Sequence, residues 1–485
     1  MLQHEEAQAR VEKNASALTL AQVIKVPLAL LTMGLLGRAL GPAGLGRLMY
    51  ALAIIGILRI FMDWGTTGII VREVSQHRTQ AGSLLQKIIT FNGVSTILTV
   101  TVGTVVVHYL VADSAQVKLW VVCLAFAASD TFCDIFRSFF RGYERMELEA
   151  FALVVERIGL VASVAGLLVI GGSVIGGAVC YLAASVLRVL VSIFLLKKVV
   201  VAQARSPRSF YWLFKEAVPF ALRRGFGVTL GRIPIIMLAR FQVGRVVGLY
   251  GAAERLFEGT YFLPYAIAES AYPSFSRAKT ERSSELTSLV STVLTISVGA
   301  AVVVATICFV MAEPAIRVVY GAEFVEASTY LSVVVWAMPL LAVAWTCCSL
   351  LQAVNRQGTA AIVLGLSAAV QVAVCGVVAR QTWGGIGVCL SWIVTAAVMA
   401  LASYSAVLKS IPRLSMAHRL LRLSAGGGVL IGLGAVYRQI ALVPSAILLL
   451  FSTAIYGLWS GLVTPDSLRR LGATWRKSLW GDHAV

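Results

Sequence analysis

The chain has 485 residues, 58% of them apolar and only 13% charged, with a mean hydropathy of +0.84. A water-soluble fold of this length cannot hide that much apolar surface, so a soluble globular protein is excluded. The formal charge of +18 comes from 41 Lys and Arg against 23 Asp and Glu; in a chain this apolar it reads as basic loops held at anionic head groups, not as a nucleic-acid footprint.

The apolar residues arrive in blocks. Residues 88–107, 161–170, 289–310 and 441–455 are nearly free of charge. A helix needs about 20 apolar residues to cross the hydrocarbon layer. Lipid offers the backbone no hydrogen-bond partners, so spans are helices or closed barrels, and barrel strands would alternate over about ten residues. The blocks therefore predict an all-α polytopic membrane protein of about fourteen transmembrane helices. In chain order the expected spans are 18–36, 48–64 with an imperfect continuation to 71, 88–111, 117–140, 150–170, 174–196, 217–238, 246–272, 286–311, 330–351, 360–378, 386–407, 423–437 and 442–462. The residues before the first span are mostly polar and no small-residue cleavage site follows it, so no cleavable signal is expected. All of the Cys residues fall inside apolar blocks at spacings that suit neither a metal nor a disulfide framework; no metal site and no cofactor are expected.

Loops after even-numbered spans carry Arg72, Arg78, Lys87, Arg137, Arg141, Arg145, Lys197, Lys198, Arg205, Arg208, Arg277, Lys279, Arg282, Arg356, Lys409, Arg413, Arg419 and Arg422, and the tail adds Arg469, Arg470, Arg476 and Lys477. The opposite loops hold little beyond Arg38, Arg47, Lys118, Arg240, Arg245, Arg317, Arg380 and Arg438. This asymmetry, roughly threefold, predicts that both termini lie in the cytoplasm, which requires an even number of spans.

The sequence also repeats weakly. Residues 46–51, Gly-Arg-Leu-Met-Tyr-Ala, echo residues 248–253, Gly-Leu-Tyr-Gly-Ala-Ala, 202 positions later. Gly177-Ala178-Val179-Cys180 echoes Ile386-Gly387-Val388-Cys389 at a similar offset. An even number of spans separates the copies, so the halves share one orientation and their axis runs along the membrane normal. The expected organisation is an N-terminal six-helix lobe (1–205) and a C-terminal six-helix lobe (206–415) related by pseudo-twofold symmetry. An extra helix pair (416–463) and a cytoplasmic tail (464–485) follow.

Charges inside the membrane are costly and usually face a cavity or one another. Lys25, Arg59, Arg223, Arg224, Arg232 and Arg255 lie on the first two spans of each half, where repeat-built transporters place their substrates. As a set they form a candidate cationic cavity suited to a pyrophosphate, because guanidinium groups pair with phosphate oxygens. The plainer reading is internal ion pairing, Arg59 with Asp63 along one face and Arg255 with Glu258. Asp130, Asp134, Arg137 and Arg141 follow i, i+4, i+7 and i+11, which makes one stripe on the fourth span. With Glu156, Arg157 and Arg188 this stripe reads as a network tying spans four to six together, and an ion or proton relay is the sharper alternative. Asp63, Asp130, Asp134, Glu156, Glu254 and Glu258 are the candidate ion-coupling or salt-bridge acids. Gly172/Gly176 and Gly428/Gly432 have small-xxx-small spacing and read as close helix packing.

Residues 36–51, Leu-Gly-Arg-Ala-Leu-Gly-Pro-Ala-Gly-Leu-Gly-Arg-Leu-Met-Tyr-Ala, together with 61–65, Phe-Met-Asp-Trp-Gly, and 70–74, Ile-Val-Arg-Glu-Val, resemble the opening of bacterial polysaccharide flippases. Residues 247–253 and 272–277 resemble the start of their second half, and 319–324 and 351–357 fit as well. The resemblance covers the whole chain and points to the multidrug/oligosaccharidyl-lipid/polysaccharide exporter superfamily. It implies two six-helix lobes around a central cavity. It also implies translocation of undecaprenyl-pyrophosphate-linked oligosaccharide from the inner to the outer leaflet of the bacterial cytoplasmic membrane. The implied partners are that lipid-linked pyrophosphate, membrane lipids and polysaccharide polymerase machinery, without nucleic acid.

Two other functions compete. A multidrug or small-cation exporter of the same fold would favour acidic and aromatic lining, whereas the intramembrane charge here leans basic. A membrane-embedded glycosyltransferase or ligase would need an acidic catalytic loop, and the longest outer loop offers only Glu313, Glu323 and Glu326. No Walker-type phosphate loop occurs in the sequence, so the expected protein is a transporter without its own nucleotide hydrolysis and not an enzyme.

Overall fold

The structure is a computed structural model that describes residues 2–110, 114–200, 209–281, 283–410 and scattered positions between 429 and 456. The described residues form helices and short turns, without strands. The helices are α1 (Leu2–Asp63), α2 (Thr66–Gln76), α3 (Ala81–Leu110), α4 (Ser114–Gly142), α5 (Met146–Val169), α6 (Val174–Leu196), α7 (Phe210–Phe241) and α8 (Gly244–Thr260). They continue as α9 (Phe262–Ser270), α10 (Tyr272–Glu281), α11 (Ser283–Val310), α12 (Ala312–Tyr320), α13 (Ala327–Val334), α14 (Met338–Ala353), α15 (Gln357–Val378) and α16 (Gly384–Ser410). The expected spans 423–437 and 442–462, the tail and the Gly428/Gly432 pair lie wholly or largely outside the described residues.

Among the described residues, nine helical segments are long and apolar enough to cross a bilayer. The first, Ile24–Asp63, bends at Gly41, whose φ of 65° is a left-handed value that suits glycine. Pro42 follows, and its fixed φ restarts a helix without needing a donor. The two expected spans 18–36 and 48–64 are therefore two helices joined at one residue. α1 then stops at Trp64 and Gly65, both left-handed (φ 48° and 77°), so the expected continuation to 71 is a separate helix, α2. Gly65 is required there, because a Cβ would collide with the Ala221 nitrogen of α7.

The expected span 246–272 is also divided, into α8, α9 and the start of α10. Pro264 and Pro273 stand in the first turns of α9 and α10, where a missing N–H is tolerated, and each denies a donor to the carbonyl four residues before it. The expected span 330–351 breaks at a 3₁₀ turn, Val335–Ala337, just before Pro339. Side-chain caps open two other helices: the Ser173 hydroxyl accepts from the Gly176 N–H (3.0 Å) and the Ser209 hydroxyl from the Trp212 N–H (3.1 Å).

The described helices fall into two compact units. The first comprises Met1–Leu256, Ile316–Ala327 and Ala368–Val388. Its core joins Ile69, Ile70 and Val74 of α2 to Ile135, Phe139 and Phe140 of α4 and Leu213 and Ala217 of α7. The second comprises Phe257–Ala315, Ser328–Ser367 and Cys389–Val485. Its core packs Phe275, Val290, Leu294, Cys347, Leu351 and Val407 together. Val94, Ile97, Leu98 and Val102 make an exposed apolar stripe along α3, each more than half exposed. A stripe of that size in water would drive aggregation; along a spanning helix it is a lipid-facing surface.

The first pair of sequence echoes meets inside the first unit. A Cβ on Gly46 would collide with the Gly244 carbonyl oxygen, and a Cβ on Gly248 would collide with the Pro42 carbonyl oxygen. At the repeat offset of 202, Gly46 corresponds to Gly248 and Pro42 to Gly244. The contact is therefore reciprocal, each glycine touching the counterpart of its own fourth predecessor. Backbone approach this close requires the absent side chains.

Candidate functional site

The charged residues of α1, α4, α5, α6 and α7 converge within the first unit. The stripe expected on α4 forms, and it is the centre of the site. Asp134 accepts from three guanidinium groups: Arg59 (2.8 Å) from α1, Arg137 (3.0 Å) one turn along α4, and Arg224 (3.0 Å) from α7. Arg59 also pairs with Asp130 (2.5 Å), and Arg224 also pairs with Asp63, which further accepts from the Thr66 hydroxyl (3.0 Å). Arg141 makes a bidentate pair with Glu149, both contacts 2.8 Å, and Arg137 Nε lies 3.9 Å from the same carboxylate. Arg188 binds Glu156 (2.9 Å) and lies 4.0 Å from Asp130. Arg157 approaches Glu156 from the other side at 3.6 Å.

These contacts form one connected network. Its carboxylates are Asp63, Asp130, Asp134, Glu149 and Glu156; its guanidiniums are Arg59, Arg137, Arg141, Arg157, Arg188 and Arg224. Among the described residues, with every group ionised, these partners carry one net positive charge. Lys25 adds another. The charges bearing on its ammonium are Arg157, Arg137, Glu156 and Arg188, three cations and one carboxylate that Arg188 already holds. The Tyr181 phenol of α6 sits in the same region, under the charges of Arg255, Arg157, Glu156 and Arg232. Its hydroxyl points toward the Met33 sulfur at 4.0 Å. Arg232 reaches this region by lying across Gly56 of α1, where a Cβ would stand 3.5 Å from its side chain.

The structure thus separates the sequence-level set. Arg59 and Arg224 are held by carboxylates. The in-helix pair expected between Arg59 and Asp63 gives way to cross-helix pairs, Arg59 with α4 and Asp63 with Arg224. Lys25 stands instead under the charges of Arg157 and Arg188, and Arg232 and Arg255 act with Arg157 on Tyr181. Arg223 is exposed, Glu254 is buried on α8, and Glu258 is half-buried one turn further on. Sequence reasoning placed Arg157 in the structural network alone, and it did not single out Glu149 or Tyr181. The signal for Glu149 was available: it precedes Glu156 by seven residues, so both carboxylates share one face of α5.

Residues 11–279, more than half of the chain and all of this network, match the family of polysaccharide biosynthesis proteins. The chain belongs to that family. The fold of this polysaccharide biosynthesis protein is similar to that of the lipid II flippase MurJ and to that of MATE multidrug transporters. It superposes on MurJ in an inward closed conformation with a TM-score of 0.74 and 14% identity, covering 94% of this chain and 99% of that one. An inward-facing multidrug resistance MATE transporter of the MOP superfamily matches with a TM-score of 0.64 and 15% identity over 81% of this chain and 99% of that one. A single-site mutant of the Vibrio cholerae MATE transporter VcmN matches with a TM-score of 0.60 and 15% identity over 85% and 98%. No curated protein matches by sequence. The fold is one shared by a lipid II flippase and by multidrug transporters, and the α1–α7 network is what this chain builds at the start of that fold.

Proposed function

We propose that the protein is a flippase that carries undecaprenyl-pyrophosphate-linked oligosaccharide from the inner to the outer leaflet of a bacterial cytoplasmic membrane by alternating access. The observation that carries this reading is the charge surplus. Among the described residues, the ion-pair network and Lys25 together hold two more cations than carboxylates. A pyrophosphate esterified at both ends carries two negative charges. A drug-cation exporter, the competing reading within the same fold, has no use for surplus positive charge in a low-dielectric site. The substrate-binding set is Lys25, Arg157, Arg232 and Arg255; Arg59 and Arg224 position it through Asp134.

The topology proposed with it has about fourteen spans in two six-helix lobes, 1–205 and 206–415. The pair 416–463 and the tail 464–485 complete it, with both termini cytoplasmic. The reciprocal Gly46/Gly248 contact supports the twofold relation, since a twofold axis makes each contact occur twice. A cysteine replacing Ser83 is expected to resist a membrane-impermeant thiol reagent in intact cells, and one replacing Ser114 to react; the opposite labelling removes this topology.

The function is tested by expressing the chain in a flippase-deficient strain together with the glycan-assembly genes of its own source. Restored surface glycan is the expected result. Export of organic cations without any surface glycan would place the protein with the multidrug transporters instead.

A further inference from the structure

The second unit carries a chemically different feature at two weakened helix segments. The path from α8 into α9 keeps helical register through Tyr261: its N–H donates to the Phe257 carbonyl (3.1 Å), and the Tyr265 N–H donates to the Tyr261 carbonyl (3.3 Å). Pro264 has no N–H, so the Thr260 carbonyl loses its helical donor. Pro339 likewise cannot donate at the turn that opens α14, where the Met338 N–H takes the Val335 carbonyl in a 3₁₀ bond instead. These two places lie side by side, with the Thr260 hydroxyl 3.7 Å from the Met338 sulfur. In membrane transporters, interrupted helices expose backbone acceptors where a ligand is bound.

Aromatic rings line this point. Trp345 of α14 stands between Tyr261 and Tyr265, with ring centroids 5.2 and 5.5 Å away. The ladder continues inward from Tyr261 to Phe257 (5.3 Å) and on to Trp392 (6.0 Å). Its inner end is closed, with Phe257 at 0% and Trp392 at 7% exposure. Its outer end is open, with Tyr265 at 41%. Glu258, Tyr261 and Tyr265 follow i, i+3 and i+7, so a carboxylate and two phenols share one face of the helix.

We propose that the open end of this ladder, Tyr261, Trp345 and Tyr265 with Glu258, is a binding site for a pyranose ring of the lipid-linked glycan. The proposal rests on the flippase reading above. A pyranose presents a face of C–H groups that carry partial positive charge, and an aromatic ring offers a negative π face to meet it. The sugar hydroxyls need acceptors close by, and the Glu258 carboxylate, the phenol oxygens and the Thr260 carbonyl supply them. A polyprenyl tail would need none of these polar groups. Recognition of the sugar thus rests on residues separate from the cations that meet the pyrophosphate.

The test uses the full chain in lipid nanodiscs and two probes, undecaprenyl diphosphate and undecaprenyl diphosphoryl-N-acetylglucosamine. Wild type is expected to bind the sugar-bearing probe about tenfold more tightly, equal to about 1.4 kcal/mol. Trp345→Leu and Tyr265→Leu should bind both probes at the affinity of the bare diphosphate, and Trp345→Phe should keep most of the preference. Tyr265, the exposed member, decides the matter if Trp345→Leu does not fold. Equal binding of the two probes by wild type, or an undiminished preference in the Leu variants, overturns the sugar site and leaves the flippase reading standing. Wild type binding neither probe removes the flippase reading, and this site with it.

Discussion

Asp134→Asn is expected to destabilise the folded protein by about 3–5 kcal/mol, the usual cost of removing one partner from a buried ion pair. The carboxylate is 10% exposed and receives Arg59, Arg137 and Arg224 within 3.0 Å. An amide of the same shape keeps one acceptor oxygen but removes the charge, which leaves three guanidiniums facing each other in a medium that screens poorly. The measurement is the yield of monodisperse protein after detergent extraction, with its thermal midpoint. Glu144→Gln is the control, because the Arg78–Glu144 pair is about half exposed (46% and 51%) and should contribute at most about 1 kcal/mol. A normal yield and midpoint in Asp134→Asn, with transport lost, would make Asp134 a relay carboxylate and not a structural one.

Lys25→Gln combined with Arg157→Gln should abolish glycan export while the protein stays folded and inserted. The two changes remove the surplus without stranding a carboxylate. Glu156 keeps Arg188 at 2.9 Å, the closer of its two partners, and the charges around Lys25 are otherwise mostly cationic. Each lost charge-assisted contact to a phosphate in a desolvated site costs about 2–5 kcal/mol, and every 1.4 kcal/mol is about tenfold in affinity. The readout is surface glycan in the complemented strain beside protein level in the membrane. Arg223→Gln, at an exposed position, should leave export intact. Arg59→Gln should also lower folded yield, because it leaves Asp130 with Arg188 at 4.0 Å in place of its close partner at 2.5 Å. Full surface glycan from the Lys25/Arg157 double variant would remove the cationic site, though not the family.

The sequence by itself determined the class of the protein, most of its helices and the α4 stripe. Each of these follows from a local rule. Lipid forces backbone groups to pair within a segment, so apolar runs mark spans. A period of 3.6 residues places Asp130, Asp134, Arg137 and Arg141 on one face whatever surrounds them. The helix breaks were only partly legible: the prolines at 264, 273 and 339 were visible, but a run of apolar residues hid the divisions they make. The family was legible because its turns, at Gly41-Pro42 and at Gly65, need particular residues for their backbone angles.

Only the tertiary structure decided which charges neutralise which. Arg59 and Asp63 stand one turn apart and suit each other along the helix, yet each turns to a partner on another helix. That choice depends on how α1 is rotated against α4 and α7, and sequence spacing carries no such angle. The same holds for Lys25, Arg157 and Tyr181, which come from three helices, and for Trp345, which reaches Tyr261 and Tyr265 from about eighty residues away. In lipid every helix is apolar over most of its face, so hydrophobicity gives little to choose between rotations. Close-packing residues and cross-helix ion pairs fix the rotation, and here they are Gly46, Gly65 and Gly248 together with the Asp134 cluster.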